Sequence, residues 1–454
     1  MDNAASDGGV FTGPAHPHPT SVLINPAALG IGGFHQFLYI GGSWQVDRYA
    51  IQRQRVLDTN SGPQAGPTLQ PLTMSPGGLL VAQFKTGRSA VLTAAVSMPM
   101  YESFIADQDD LGYHVLAGQH WQWAITAATS VRFNDRLYVG ASLSRMSTKL
   151  DLSFYRDTAL EGGTTGIQDP TCDGAACGIE NPQAAERWDV SVDSQGILGT
   201  QTLSIRAGFA YQIARDWWLA GSYHSPPGLQ APLTLAGSAR IERAPRSQTG
   251  DPEQDVYQPN AEIIYRLPST LTLGVRGPIT DSLQVFANAR WQNLSSHRTL
   301  DLRVFGRDLD ETIPEWYPRH RGLRDAFSVE SGLETSAQER WRFGARVRVE
   351  RGATAPAATA PLQVAGFNLS GALGARWRLL QQLSVTVDTA VSWFPTVTVE
   401  NSDYDPLDRL TCVDNGFDID DCAGAAEGRA ISSAAGSYGR LGFTGRLSIR
   451  YTWD

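Results

Sequence analysis

The last seventeen residues, YGRLGFTGRLSIRYTWD from Tyr438 to Asp454, constrain this chain more than any other stretch. Leu441, Phe443, Leu447, Ile449, Tyr451 and Trp453 occupy odd positions; Arg440, Thr444, Arg446, Ser448, Arg450 and Thr452 occupy even ones. Successive side chains of an extended strand point to opposite faces, so one face is apolar and ends in aromatics while the other carries three arginines. An alternation of this length, closed by an aromatic cuff, predicts a strand that crosses a bilayer with lipid on one side and a wet lumen on the other.

The pattern recurs. Trp121, Trp123, Ile125, Ala127, Val131 and Phe133 oppose Gln122, Thr126, Ser130 and Arg132. Leu203, Ile205, Phe209, Tyr211 and Ile213 oppose Thr202, Ser204, Arg206 and Gln212. The same holds for Leu283 to Gln292, Trp341 to Glu350 and Leu383 to Trp393. Many period-two segments without a helical period predict an all-β chain. Short turns are read at Gly87-Arg88, Asn134-Asp135, Arg215-Asp216, Thr280-Asp281, Gln338-Glu339 and Leu380-Gln381. Long polar loops fall near 52–77, 105–118, 157–187, 244–258, 306–325, 351–364 and 400–436. Six turns and seven loops predict fourteen strands, from near Phe34 to Trp453, with short turns at one end and long loops at the other. A secreted β-sandwich or propeller is the rival; it would need those arginine-bearing faces outside. Aromatics near strand ends (Trp217, Trp218, Trp291, Trp377, Trp393, Trp453) favour a membrane girdle.

The totals are compatible. The 454 residues suit two or three ordinary domains or one large barrel. No apolar run reaches the length of a membrane-spanning helix. A mean hydropathy of −0.23 is typical of barrels, in which half of each strand is polar. The start Met1-Asp2-Asn3 lacks the basic and apolar regions of a signal peptide, so the expected form is a mature chain with a start methionine. The net charge is −9, with nine acids against Arg409 between Glu400 and Glu427. No basic stripe lies on an exposed element, which excludes nucleic acid as a partner. The acidic stretch Asp414, Asp418, Asp420 and Asp421 lacks the spacing of a calcium loop and reads as solvated; calcium binding beside lipopolysaccharide is its functional alternative. No metal or cofactor is expected. Cys172/Cys177 and Cys412/Cys422 form two close pairs in polar segments. Neither has zinc-site spacing or a nearby histidine, which favours two local disulfides over a metal site. The eight histidines suggest no catalytic triad, so a barrel enzyme such as a lipase is a rival class without a motif, as is an adhesive barrel.

Residues 1–33 do not alternate; they are either a leader or a plug within the lumen. Here Asn25-Pro26-Ala27, with Leu29, resembles the N-terminal hatch of the FadL family of outer-membrane channels for long-chain fatty acids, which includes TodX-type hydrocarbon channels. Leu267-Pro268-Ser269-Thr270-Leu271, Trp341-Arg342-Phe343-Gly344-Ala345 and Gly208-Phe209-Ala210-Tyr211 followed by Trp218 to Pro226 extend the resemblance along nearly the whole chain. It implies a fourteen-stranded transmembrane antiparallel barrel (34–454) with a hatch (1–33), a monomer in outer-membrane lipid and lipopolysaccharide, and passive uptake of hydrophobic small molecules without catalysis. It also implies sideways release at a kinked third strand. That strand contains Pro99, Met100 and Tyr101, and proline cannot donate to a ladder, so pairing should break there. Arg132, Arg206, Arg276, Arg290, Arg342, Arg346, Arg376, Arg440, Arg446 and Arg450 are placed on the lumen face with Glu330, Glu334 and Asp388. Most of these are expected to form an interior ion-pair network; Arg206, Arg290, Arg342, Arg346, Arg376 and Arg440 are the candidate contacts for a carboxylate head group.

Peptide mapping of the oxidised protein should recover Cys172 linked to Cys177 and Cys412 linked to Cys422. A link between the two pairs would overturn local pairing.

Overall fold

The computed structural model describes residues 9–31, 33, 35–55, 63–105, 111–157, 180, 185–194, 202–227, 232–243, 256–307, 309, 313–335, 340–364, 366–404 and 431–453. All four cysteines, the turn at Gln338-Glu339 and most of the acidic stretch lie outside the described residues.

Fourteen strands form one closed antiparallel barrel. They are β1 (Gln36–Arg55), β2 (Gln64–Leu69 and Leu72–Lys85), β3 (Ala90–Ile105), β4 (Ala117–Arg132) and β5 (Leu137–Asp157). Then come β6 (Ala185–Asp193 and Leu203–Ala214), β7 (Trp217–Ser225 and Leu233–Arg243), β8 (Val256–Tyr257, Asn260–Tyr265 and Thr270–Thr280), β9 (Leu283–Gln292 and Thr299–Phe305) and β10 (Trp316–His320 and Ala326–Thr335). The circuit ends with β11 (Trp341–Arg351), β12 (Phe367–Arg378), β13 (Leu383–Val399) and β14 (Gly436–Trp453). Each strand pairs with the next, and β1 closes on β14 from Gln36↔Trp453 to Arg53↔Gly436. The expected strand count and the described tight turns are in place. The expected loops are shorter than read, because Gln64–Leu69 and Trp316–His320 lie in stretches taken for loop.

The alternation maps onto the two faces of the wall. Leu441, Phe443, Leu447 and Ile449 are exposed, Leu447 by 51%, while Arg440, Arg446 and Arg450 lie on the opposite, inner face. Ile40, Leu80, Leu92, Ile125, Leu143, Phe209, Leu273, Phe343 and Leu373 continue this belt around the barrel. An apolar surface encircling a molecule is not tolerated in water and marks contact with lipid. Trp341 and Trp377 stack at 5.0 Å on neighbouring strands, and Tyr451 stacks with Trp453 at 5.9 Å. Arg132 departs from the expected lumen position and is exposed beside the turn after β4.

In β6 to β10 the strands break, each between a turn-side and a loop-side segment. Across the break the residue types change places. In the loop-side segments Trp188, Val190, Leu235, Ile241, Ile263, Leu302 and Val304 are buried inside, with Phe154 of β5. Arg187, Arg240 and Arg303 stand outside. There the exterior is water, so the apolar face turns inward as in a soluble domain. Phe154 stacks on Trp188 and on Tyr317 at 5.8–5.9 Å, and Trp188 and Tyr317 meet at a tilt at 5.5 Å.

Replacing Leu447 by Arg should destabilise the folded barrel by about 2–4 kcal/mol at the bilayer midplane. Urea unfolding in lipid vesicles measures it, and a cost near zero would place Leu447 away from lipid.

Candidate functional site

Residues 9–31 lie inside the barrel and are almost entirely buried. One end of this inner segment is held by β10, β11 and β13. The Val10 amide donates to Asp388 Oδ1 at 3.1 Å, and Arg346 Nη1 donates to the Gly9 carbonyl at 2.6 Å. Phe11 sits beneath two guanidinium groups, Arg342 at 5.2 Å and Arg376 at 4.9 Å from its ring centre. His16 pairs with Glu334 at 2.7 Å, and the same carboxylate binds Arg342 and, at 3.5 Å, Arg276.

The other end rests on β4 to β7. Asn25 caps a single 3-10 turn, Pro26–Gly30, by accepting from the Ala27 amide at 3.2 Å. Its side-chain amide donates to the carbonyls of Pro14 at 2.7 Å and Phe209 at 3.0 Å. Ser130 donates to the Ala27 carbonyl at 2.9 Å, and Ser222 to that of Ile24 at 2.6 Å. Leu29 packs with Val22, Phe37, Tyr39, Leu79 and Val81. Gly140 and Gly208 face this turn from the wall; a Cβ at either would run into the Ala27 backbone or the Asn25 side chain, so close approach requires glycine. The structure thus brings Asn25, Pro26, Ala27 and Leu29 together against the wall.

On β3 the ladder fails where proline was expected to break it. Pairing with β2 lapses between Met74↔Ser103 and Gly78↔Met98. Pairing with β4 slips by one residue between Ser97↔Ala124 and Met100↔Gln122. Met98 and Pro99 stand in this bulge, and Met100 resumes the ladder. A one-residue slip exchanges the faces of everything beyond it. Val91, Thr93, Ala95 and Ser97 are buried inward, but after the slip Glu102 and Phe104 face the lumen. Tyr101 falls on the other face and accepts a hydrogen bond from Gln119 at 2.9 Å.

Above the inner segment lies a cavity of about 430 Å³ at the level of the strand breaks. Leu23, Leu150, Leu152, Leu267, Pro268, Leu294 and Leu300 supply its apolar lining; Glu102, His114, His120, His224, Tyr265, His297, Arg319 and Arg321 supply polar groups. Burial keeps His114, in the loop after β3, well below the ordinary imidazole range and neutral. A second cavity of about 90 Å³ lies against Pro14, Leu23 and Ile24.

Of the six candidate arginines, Arg206 and Arg290 line both cavities. Arg346 lines the smaller one, held by Glu330 at 2.8 Å. Arg342 and Arg376 sit against Phe11 instead, and Arg440 pairs with Asp47 at 3.1 Å over the Phe394 ring. Glu102, Arg319, Arg321 and the histidines were missed by sequence reasoning. Glu102 faces inward only because of the slip, and Arg319 and Arg321 lie in a stretch read as loop. The Leu267-Pro268 pair was the available signal, since it marks the break beside the cavity.

A fourteen-stranded barrel with a buried inner segment and an apolar cavity defines a class of membrane barrel rather than one protein. No family model matches this sequence, and no curated protein matches it. Among solved structures the chain is similar to a Pseudomonas aeruginosa FadL homologue: TM-score 0.72, 16% identity, covering 98% of this chain and 96% of that one. It is also similar to the Pseudomonas putida toluene transporter TodX (TM-score 0.63, 11% identity, 99% and 97% covered) and the Ralstonia pickettii toluene transporter TbuX (0.62, 15%, 98% and 97%). At these identities the likeness establishes a shared fold over the full length.

Glu334 to Gln should leave Arg276 and Arg342 without their counter-charge and loosen the inner segment by about 3 kcal/mol. The measurement is thiol labelling of a cysteine placed at Ala15, which should quicken in the variant. An unchanged labelling rate would show that Glu334 does not hold the segment.

Proposed function

We propose that this protein is an outer-membrane channel, not an enzyme, that takes up hydrophobic compounds including long-chain fatty acids. Residues 1–33 act as its hatch and 34–454 as its barrel. The observation that carries the reading is Arg206. It lines both cavities, the larger of them mainly apolar, and no described residue gives it a hydrogen bond or an ion pair. Most other inward arginines are paired with acids. A half-buried guanidinium without a counter-charge favours an anion, and the head group of a fatty acid supplies one beside an apolar tail. The structures of similar fold are of a FadL homologue and of toluene transporters, which supports transport of hydrophobic compounds and leaves the head group to be argued from Arg206.

The route follows from the geometry. A compound enters at the loop end, descends to the cavity above the hatch, and leaves sideways where the β2–β3 ladder lapses at Pro99. Backbone groups without ladder partners are costly in hydrocarbon, so a lapse there suits a place kept for passage.

The test is uptake of labelled oleate and toluene by cells lacking their own channel. The native protein should speed both. Arg206 to Gln should slow oleate about tenfold or more, the worth of a charged hydrogen bond, and leave toluene within about twofold. If neither compound enters faster with the native protein, the channel reading fails. A regular strand sequence in place of Ser97 to Tyr101 should abolish uptake of both; undiminished uptake would sink the lateral route alone.

A further inference from the structure

Three consecutive residues of β10 each hold a different loop at the mouth of the large cavity. Arg319 Nη2 donates to the carbonyls of His114 at 2.5 Å and Tyr113 at 3.3 Å, in the loop after β3. The His320 carbonyl accepts from the Tyr404 hydroxyl at 2.8 Å, in the loop after β13. The Arg321 carbonyl accepts from the side-chain amide of Gln363, in the loop after β11. His114, Val115, Leu362, Gln363 and Tyr404 all line the cavity, so the described parts of these loops roof it.

The attachments differ in kind. The loop after β11 is docked on the β10 break through its backbone: the Arg324 amide donates to the Ala353 carbonyl at 2.6 Å, and the Ala355 amide to the Gly322 carbonyl at 3.3 Å. The loop after β13 joins it, the Asp403 amide donating to the Ala357 carbonyl at 2.7 Å. The segment 111–116 is held otherwise. It is one compact turn, with the His114 and Val115 amides donating to the Leu111 carbonyl at 2.9 Å and 2.8 Å. Its two ends have footings. Leu111 packs with Tyr49, Ile51 and Tyr438, the Tyr155 amide of β5 donates to the Gly112 carbonyl at 2.8 Å, and the Leu116 amide donates to the Ser153 carbonyl at 2.7 Å. Its tip, Tyr113-His114, is tied across the lumen to β10 by the Arg319 side chain. That guanidinium lies 4.1 Å from the Phe154 ring centre, which fixes its aim.

A loop docked through several backbone bonds gives way only as a unit. A guanidinium resting on two loop carbonyls can let go by itself, and the freed carbonyls then turn to water at the mouth. The segment 111–116 is therefore the part of the roof that opens at least cost. It is footed at the β5 side and caught at the β10 side, with His114 and Val115 over the cavity.

We propose that the segment 111–116 is a flap hinged on β5 and latched by Arg319, and that release of this latch admits hydrophobic compounds to the large cavity. Arg319 is then a positioning residue for entry and not a ligand contact. The inference rests on the entry route proposed above and adds the step that sets its rate.

The experiment places a cysteine at Leu300, in the cavity wall, and follows its reaction with a water-soluble maleimide in the purified full-length protein, over the background of the parent. Arg319→Met removes both donated bonds and keeps a stem against Phe154; it should raise the labelling rate about tenfold. Arg319→Lys, which keeps a charged donor, should raise it about threefold. Stopped-flow binding of the fluorescent fatty acid cis-parinaric acid gives a second readout. Arg319→Met should speed association and dissociation by the same factor and leave affinity within about twofold, because the closed cavity is unaltered. Heat-modifiable gel mobility checks the fold; if Arg319→Met fails to fold, Arg319→Lys carries the test. Unchanged labelling, or weakened affinity with unchanged association, would overturn the latch. If the native protein does not bind the fatty acid, the channel reading falls, and the labelling rates still decide the latch.

Discussion

The closed hydrogen-bond ladder is the constraint on which the rest of this molecule depends. In hydrocarbon a backbone amide or carbonyl has no water to turn to, so each must find a partner within the wall. The pairing of β1 with β14 removes the last free edge. Once the wall is closed, side chains have only two destinations, and the alternation of the strands assigns them. Departures from the ladder then become informative, because each needs local support. The lapse between β2 and β3 and the stacked breaks of β6 to β10 both border the large cavity. The wall is thus regular over most of the lipid belt and irregular where it borders the large cavity.

Charge inside the barrel divides into two populations. Glu330, Glu334, Glu186 and Asp47 each take one or more arginines, and this pairing holds the lumen wall and the inner segment in one arrangement. Breaking such a buried pair is more costly than never having built it, which makes the inner segment a well-anchored element with two distinct footings. Arg206, Glu102 and Arg321 belong to the second population. They line the large cavity, and no described residue gives their side chains a hydrogen bond or an ion pair.

Only parts of the candidate site were legible in the sequence. Asn25 and Pro26 stood out through a family resemblance; that Asn25 caps a turn, and that the glycines at 140 and 208 give it room, came from the structure. Pro99 announced a break because it has no amide hydrogen to donate. What the residues around Pro99 do was not legible. A regular strand through Ala90–Ile105 would put Glu102 on the lipid face, where an acid has no business; one extra residue in the bulge reverses that. The roles of the arginines were equally hidden, since partners such as Glu334 and Arg342 or Asp47 and Arg440 are settled by which strands are neighbours.

The sequence by itself determined the class of architecture. Period-two alternation, two kinds of connection and the aromatic chain end are local properties, and they are enough to specify strand number, order and the face of most residues. Tertiary structure alone decided where that alternation changes meaning. The same pattern puts apolar residues outward in the membrane and inward beyond it, because the solvent around the wall changes while the pleat does not. It also decided which charges are spent on one another and which are left facing the cavity, for that depends on contacts across the lumen between residues far apart in the chain.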